Sequence, residues 1–331
     1  MKSDTISMTG QSKIRSCILK KATGSRFRHL VWGTAVLLLI SCSSGSPDDK
    51  DSEPSNGGGS PSGQPEYAEM SVVSFNIRVD NAADGSNRWS ERRAAAVAMV
   101  QREQPVVMGL QEAQAHQITY LARNCAGYAW YGLGRDTGTP PPETDAYARE
   151  ETMAIFWRES EAELLDKGTF WLSETPDKVS KLPSADYCRT CTWGLFRHKA
   201  SGQRFYFFNT HLATESAPRG EQIGILIANM KRINDKRLPA FLTGDFNAET
   251  NEAAFAPLLA YLSDARTAAT LSDGRATWND YGQAAGSKRY DHVFFLSGRC
   301  VARRFQVLTD DYGAPYISDH YPVKALFGLQ K

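Results

Sequence analysis

Leu242-Thr243-Gly244-Asp245-Phe246-Asn247 closes an apolar run that opens at Pro239. Pro239 to Thr243 reads as a buried strand, and Asp245 and Asn247 stand where it ends. Alone, the pair says little, because an Asx turn has the same sequence. The same arrangement recurs along the chain. Asn76 follows SVVSF, Gln111 and Glu112 follow VVMGL, and His211 follows FYFFNT. Asp291 and His292 precede VFFL, and Asp319 and His320 follow YIS. Polar residues at strand ends converge when those ends share one edge of a sheet, the usual place for a site in an open α/β sheet.

Around these positions the sequence predicts an α/β layered domain. Strands are expected at Met70–Ile77, Val106–Leu110, Thr152–Arg158, Lys167–Leu172, Pro239–Thr243, Tyr290–Leu296, Arg303–Leu308 and Pro322–Phe327. Thr192–His198 and Gln203–Asn209 read as a hairpin around Ser201-Gly202. Helices are expected from an N-cap at Ser90 to Glu103, with Ala94, Val97 and Ala98 on one face, and over Ala113–Arg123. Two more run from Pro218 to Lys236, with Ile223, Leu226, Ile227 and Met230 apolar, and from Glu252 to Leu262. Gly132–Glu151 is Gly/Pro/Thr-rich and reads as a long loop, whose Arg135, Tyr147 and Arg149 are candidates to meet a substrate. Strands and helices do not alternate strictly, so a simple doubly wound sheet fits poorly.

Leaving Gln111 and His292 aside, the strand-end set holds two histidines, several carboxylates and two amides. Hard oxygen donors such as Glu112 and Asp319 suit Mg²⁺, with Mn²⁺ or Ca²⁺ as alternatives. Hydrolysis of a phosphate ester needs charge stabilisation, an activated water and a proton for the leaving oxygen. Each need has a candidate here. Lone histidines such as His116, His198 and His292 read as structural or surface residues, and Trp193, Trp278 and Tyr281 as core or pocket wall.

Asn76 in SFNIR, Glu112 in LQE, His211 in NTHL, Asp245 and Asn247 in GDFN, Asp291 in YDHVFF, and Asp319-His320 in SDHYPV together resemble the endonuclease/exonuclease/phosphatase family. The resemblance covers residues 67–331. It implies a four-layer α/β/β/α sandwich, deoxyribonuclease I-like, with two packed and mainly antiparallel sheets. It also implies a metal held chiefly by Glu112, with Asn76 and Asp319 beside it. Asp245 and Asn247 would orient water and a phosphate oxygen. His320, oriented by Asp291, would be the general base. His211 would bind the scissile phosphate and help protonate the leaving oxygen. Arg78 and Arg219 are weaker candidates for phosphate contact. The tyrosine-bearing motif of the repair nucleases is missing.

The N-terminus carries a different message. Six basic residues between Lys13 and Arg28 precede the apolar run Leu30–Ile40, shorter than the ~20 residues of a membrane span. This reads as a secretory signal over residues 1–41. Leu39-Ile40-Ser41-Cys42 resembles the bacterial lipoprotein box, which implies a lipidated Cys42 and a cell-envelope location. Residues 42–66 are Ser/Gly/Pro/Asp-rich and read as a flexible tether. The acidic stretch after Cys42 resembles the surface-export signal of some Bacteroidetes lipoproteins.

Of the 38 basic and 37 acidic residues, seven basic and one acidic lie in 1–41. From Tyr67 onward the count is 30 basic against 31 acidic, without the surplus of a dedicated nucleic-acid binder. Cys188-Arg189-Thr190-Cys191 has a redox or half-zinc spacing but lacks a second CxxC. A disulfide or two free buried thiols is the expected state. The sequence therefore predicts a monomeric, envelope-anchored phosphodiesterase. An extracellular DNase or RNase of the same family, and a glycan-binding lipoprotein without catalysis, are the alternatives.

Overall fold

A computed structural model describes residues 66–284 and 286–331. The expected signal, Cys42 and all but Glu66 of the expected tether lie outside them. The described residues belong to one compact unit.

The chain opens with β1 (Tyr67–Asn76), α1 (Trp89–Glu103), β2 (Val107–Gln111), β3 (Ala113–Gln114) and α2 (Ala115–Asn124). β4 (Tyr128–Tyr131), β5 (Glu151–Thr152), β6 (Ile155–Arg158) and β7 (Ala162–Trp171) follow. Then come β8 (Thr190–His198), β9 (Arg204–His211), α3 (Ser216–Ile233) and β10 (Ala240–Asp245). The chain closes with α4 (Ala256–Tyr261), β11 (Ser263–Asp264), α5 (Ala265–Ala268), β12 (Asp291–Leu296), β13 (Cys300–Val307) and β14 (Val323–Gln330).

One six-stranded sheet has the order β13-β14-β1-β2-β6-β4, and the other β11-β12-β10-β9-β8-β7. Within these two sheets only β1–β2 and β9–β10 pair in parallel. Met70, Val72, Phe207, Phe241, Val293 and Phe327 fill the space between the sheets. The outer face of the first sheet packs Val73, Phe75 and Met108 against Ala96, Met99 and Val100 of α1 and Leu121 of α2. The outer face of the second packs Phe208, Leu242 and Phe294 against Ile223, Leu226 and Met230 of α3 and Leu258 of α4. Central strands bury both faces, so their sequences read as nearly unbroken apolar runs. The result is the expected four-layer α/β/β/α sandwich.

Some local expectations fail. Ser90 does not cap α1, which starts at Trp89 with no side-chain cap. Trp89 is buried edge-on against Tyr120, and this packing draws it into the first turn. The buried stripe of α1 runs through Trp89, Arg92, Ala96, Met99 and Val100, while Ala94 faces outward. A buried arginine in mid-stripe hides this face from a hydrophobicity reading. The strand expected over Thr152–Arg158 is two strands, and the helix expected over Glu252–Leu262 is a 3-10 turn followed by α4. Cys188 and Cys191 are both free; Cys191 is buried in β8 and Cys188 half-buried.

A polar bolt joins the sheets beneath the strand ends. Gln111 Nε2 donates to Asn209 Oδ1 at 2.7 Å, and Thr243 Oγ1 donates to the same oxygen at 3.1 Å. Asn209 Nδ2 donates to the carbonyls of Leu110 and Ala154. Gly109 lets the two backbones approach here. A Cβ on it would lie 2.3 Å from both Asn209 Oδ1 and Thr243 Oγ1. Gly109→Ala is expected to destabilise the fold by about 1–3 kcal/mol through overpacking, read as a lower midpoint in urea.

Candidate active site

Strand register assembles the site. Asp245, the last residue of β10, pairs with His211 of β9 on one side and with Asp291 of β12 on the other. Directly paired residues project to the same face from strands about 4.8 Å apart. Three polar side chains thus stand in a row at one edge of the second sheet. In the first sheet Asn76 pairs with Gln111, and Glu112 follows directly.

Asn76 joins the two rows. Its Nδ2 donates to Glu112 Oε1 at 3.0 Å and to Asp245 Oδ2 at 2.8 Å. Its Oδ1 accepts from the Arg78 amide at 3.0 Å, which fixes the orientation of the side-chain amide. Glu112 Oε2 accepts from the Val79 amide at 3.1 Å. Arg78, Glu112 and Asn247 all hold positive φ, at 61°, 59° and 50°. Such backbone persists in non-glycine residues only where surrounding contacts over-determine it, and here it turns these side chains to the cleft. The Asx turn at Asp245 is real, with Asn247 N donating to Asp245 Oδ1 at 2.9 Å. It also carries the Asn247 amide to His211. Nδ2 donates to the Leu212 carbonyl at 3.0 Å and reaches His211 Nε2 at 2.9 Å. That nitrogen therefore accepts, and the proton of neutral His211 sits on Nδ1.

The surroundings push the two histidines in opposite directions. His320 Nδ1 is 2.8 Å from Asp291 Oδ2, and its Nε2 is 3.8 Å from Asp245 Oδ2. Burial disfavours its charge, but Asp291 and Asp245 outweigh burial and push it well above the usual imidazole range. His211 is pushed well down, first by burial, then by the positive charges of Arg189 and Arg135. Burial pushes Asp245 up to about 7, against the pull of His320. Asp245 and His320 act on each other's protonation, since each carries a charge the other responds to.

The carboxylates fit a hard cation. Glu112, His211 and Asp245 bring ligand atoms within 4.8 Å of one another. Arg78 Nη1 lies 3.5 Å from Asp319 Oδ2 and 4.0 Å from Glu112 Oε2. The same arginine spans to Asp84 at 3.3 Å. Three carboxylates leaning on one guanidinium is a donor set that accommodates further positive charge, and its oxygens suit a divalent ion that also takes phosphate oxygens.

These groups lie in a cleft of about 1320 Å³, far larger than one phosphate needs. Arg78, Glu112, His211, Asp245, Asn247, Asp319 and His320 line it, and Asn76 and Asp291 are buried directly behind. Arg135, Tyr147 and Arg149 of the long loop reach its wall, and so does Trp278. Arg219 does not line the cleft. It is buried, donating to the Thr214 carbonyl at 2.6 Å and to Glu252 at 2.8 Å, which fastens α3 to the loop after β10. His116, His198 and His292 are structural, bonded to Asp80, Ser201 and the Ala248 carbonyl. The sequence reading missed Glu151, Tyr187 and Arg189, which also line the cleft. Arg189 lies inside the CxxC motif, where attention to the cysteines masked it. No helix among the described residues is long and apolar enough to cross a membrane.

A sequence profile of the endonuclease/exonuclease/phosphatase family matches residues 73–320. No curated protein sequence matches the chain. Among solved structures, a family protein of Bacteroides thetaiotaomicron has 32% sequence identity and a TM-score of 0.74, covering 80% of this chain and 99% of its own. A mannosyl-6-phosphatase of the same organism has 32% identity and a TM-score of 0.71, covering 77% and 98%. The human Nocturnin catalytic domain, at 20% identity and a TM-score of 0.61 over 79% and 94%, shares the fold. On its sequence profile, its sandwich and the set of side chains at its strand ends, this chain belongs to the endonuclease/exonuclease/phosphatase family.

Proposed function

We propose that the protein is a divalent-metal-dependent hydrolase of phosphate esters, tethered to the cell envelope through a lipidated Cys42. The observation that supports this most is the Asn76 amide, which joins Glu112 of one sheet to Asp245 of the other within a buried set of competent acid–base groups. A divalent cation held by Glu112 and Asp319 beside Asn76 would offset phosphoryl charge and polarise the bond under attack. Mg²⁺ is the first expectation, with Mn²⁺ and Ca²⁺ as alternatives.

The side chains supply the proton chemistry. Asp245, raised to about 7, accepts the proton of the attacking water. The carboxylates of Asp291 and Asp245 favour the protonated form of His320, which as an imidazolium would stabilise the phosphoryl group and protonate the leaving oxygen. This differs from the resemblance, which implies His320 as the general base, Asp245 as an orienter of water and His211 as the group that helps protonate the leaving oxygen. Asp245 and His320 stand 3.8 Å apart, so a proton gained by one would return to the other through a shared water. Asn247 and His211 position a phosphate oxygen. His211, neutral and accepting from Asn247, is held as a hydrogen-bonding group rather than as an acid.

The cleft volume leaves room for a bulky leaving group. The near-neutral domain argues against a dedicated nuclease. The likeness to a mannosyl-6-phosphatase favours phosphorylated sugars or glycans. The glycan-binding reading without catalysis has no support in a lost catalytic residue, since each position is filled. A substrate panel tests the proposal: sugar phosphates, bis-p-nitrophenyl phosphate, sphingomyelin and DNA, each with Mg²⁺ or Mn²⁺. Turnover of a sugar phosphate above DNA is expected. No turnover of any ester with either metal would overturn the enzyme reading.

A further inference from the structure

Arg189 is the unexplained charge in this cleft. It is only 8% exposed, and its Nη1 is buried without a hydrogen-bond partner. Its side chain makes no hydrogen bond or ion pair with any other described residue. The other deeply buried arginines differ. Arg92 is surrounded by carbonyl oxygens, Arg219 holds Glu252, and Arg135 Nη1 holds Glu151 Oε2 at 2.7 Å. An uncompensated buried cation is costly, so a partner anion is expected where the cation meets open space. For Arg189 that space is the cleft wall beside His211.

The surroundings form a built anion site. β8 starts at Thr190, whose carbonyl accepts from Thr210 Oγ1 at 2.9 Å, next in sequence to His211. Arg135 approaches from the long loop and is itself 8% exposed. Its guanidinium lies 5.0 Å over the Tyr187 ring, and its Nε has only a 3.5 Å ionic contact with Asp136. Arg135 is paired with Glu151 and touches Asp136, which leaves Arg189 as the buried guanidinium here with no carboxylate bonded to it among the described residues. Glu112, Asp245 and Asp319 line the same cleft and supply its negative charge. A phosphoryl group bound with its reacting side toward these carboxylates would offer its remaining oxygens to Arg189.

We propose that Arg189, seconded by Arg135, is a specificity-determining subsite that takes the free oxygens of a phosphate monoester. The inference rests on the phosphoester-hydrolase reading above. It departs from the diester preference expected from the sequence. At neutral pH a monoester carries close to two negative charges and a diester only one. In a diester the added alkyl or aryl group would turn toward a buried, unpaired guanidinium and leave it without an anion. Tyr187 and Tyr147, 57% and 61% exposed, leave the outer cleft open to the organic part of the substrate.

The test compares full-length wild type, Arg189→Met and Arg189→Lys with Mg²⁺ present. The ratio of kcat/KM for p-nitrophenyl phosphate to that for bis-p-nitrophenyl phosphate should fall by roughly 10–100-fold in Arg189→Met, the worth of a charge-assisted hydrogen bond. Arg189→Lys should recover part of it. Calorimetry supplies a readout independent of turnover. Wild type should bind inorganic phosphate more tightly than dimethyl phosphate, and Arg189→Met should lose that preference. An unchanged kinetic ratio in the variants, or equal wild-type affinity for the two anions, would overturn the subsite. If neither ester turns over but the phosphate preference depends on Arg189, the subsite stands and the hydrolase reading fails. The wild-type comparison holds even if Arg189→Met does not fold.

Discussion

Asp245→Asn lowers kcat by roughly 10²–10⁴-fold, the usual cost of losing a general base. Asp245 uses both oxygens: Oδ2 accepts from Asn76 and Oδ1 from the Asn247 amide. Asparagine has one oxygen for these two donors, so one of them faces an NH₂ group. Basicity and geometry are lost together. The pH profile separates the two. Wild-type kcat depends on the ionised carboxylate, whose pKa is raised to about 7. Activity is therefore present above that pH and falls as pH drops through it. A divalent cation beside Glu112 favours the carboxylate, so raising Mg²⁺ moves this limb to lower pH. The residual activity of Asp245→Asn should show no such limb. A variant that keeps the wild-type acid limb would remove Asp245 from the base role.

Arg92→Met destabilises the fold by about 3–5 kcal/mol and lowers kcat even where the variant stays folded. Arg92 is among the largest fully buried side chains, at 1% exposure. Its guanidinium donates to the carbonyls of Asn87, Arg78 and Val79 on the loop after Asn76, and to Ile317 at 3.2 Å. One side chain of α1 thus fastens the segment after β1 to the segment bearing Asp319 and His320. Removing it leaves several buried carbonyl oxygens without donors, each costing about 1–3 kcal/mol unless water enters. The charge offers nothing to a substrate, because Arg92 does not line the cleft. A lower denaturation midpoint with a raised Mg²⁺ requirement would identify it as a positioning residue. Wild-type stability in Arg92→Met would refute this.

The central site was legible because each member ends or opens an apolar run. Asp245, His211 and Asn76 stand at the ends of β10, β9 and β1, and Asp291 begins β12. Their order along the chain carried the family resemblance. What sequence could not supply was register. That Asp245 lies between His211 and Asp291, and that Asn76 reaches across to it, depends on pairings between residues far apart in sequence. Arg92 and Arg189 were hidden for the opposite reason. A buried arginine looks like a surface one until its surroundings are known. Arg219 looked like a phosphate ligand and proved to be a strut to Glu252. β7 extends back to Ala162 through exposed Glu163, Asp166 and Lys167, because it is an edge strand with one wet side. β4 is short and half-buried on the other sheet's edge, and its run Tyr128–Tyr131 gave no alternation to read.

The proposed role of Glu112 in holding the metal is tested by one measurement. Initial rates of p-nitrophenyl phosphate and bis-p-nitrophenyl phosphate hydrolysis are followed while Mg²⁺ is titrated into EDTA-treated protein, wild type beside Glu112→Gln. The amide keeps the shape of Glu112 and can still accept from Val79, but it has lost the charge that holds a divalent ion. Wild type should be inactive in EDTA and recover with Mg²⁺, while Glu112→Gln should need far more Mg²⁺ or fail to recover. Ester hydrolysis that survives EDTA, or a Glu112→Gln titration that overlays wild type, would contradict a metal-assisted centre built on Glu112.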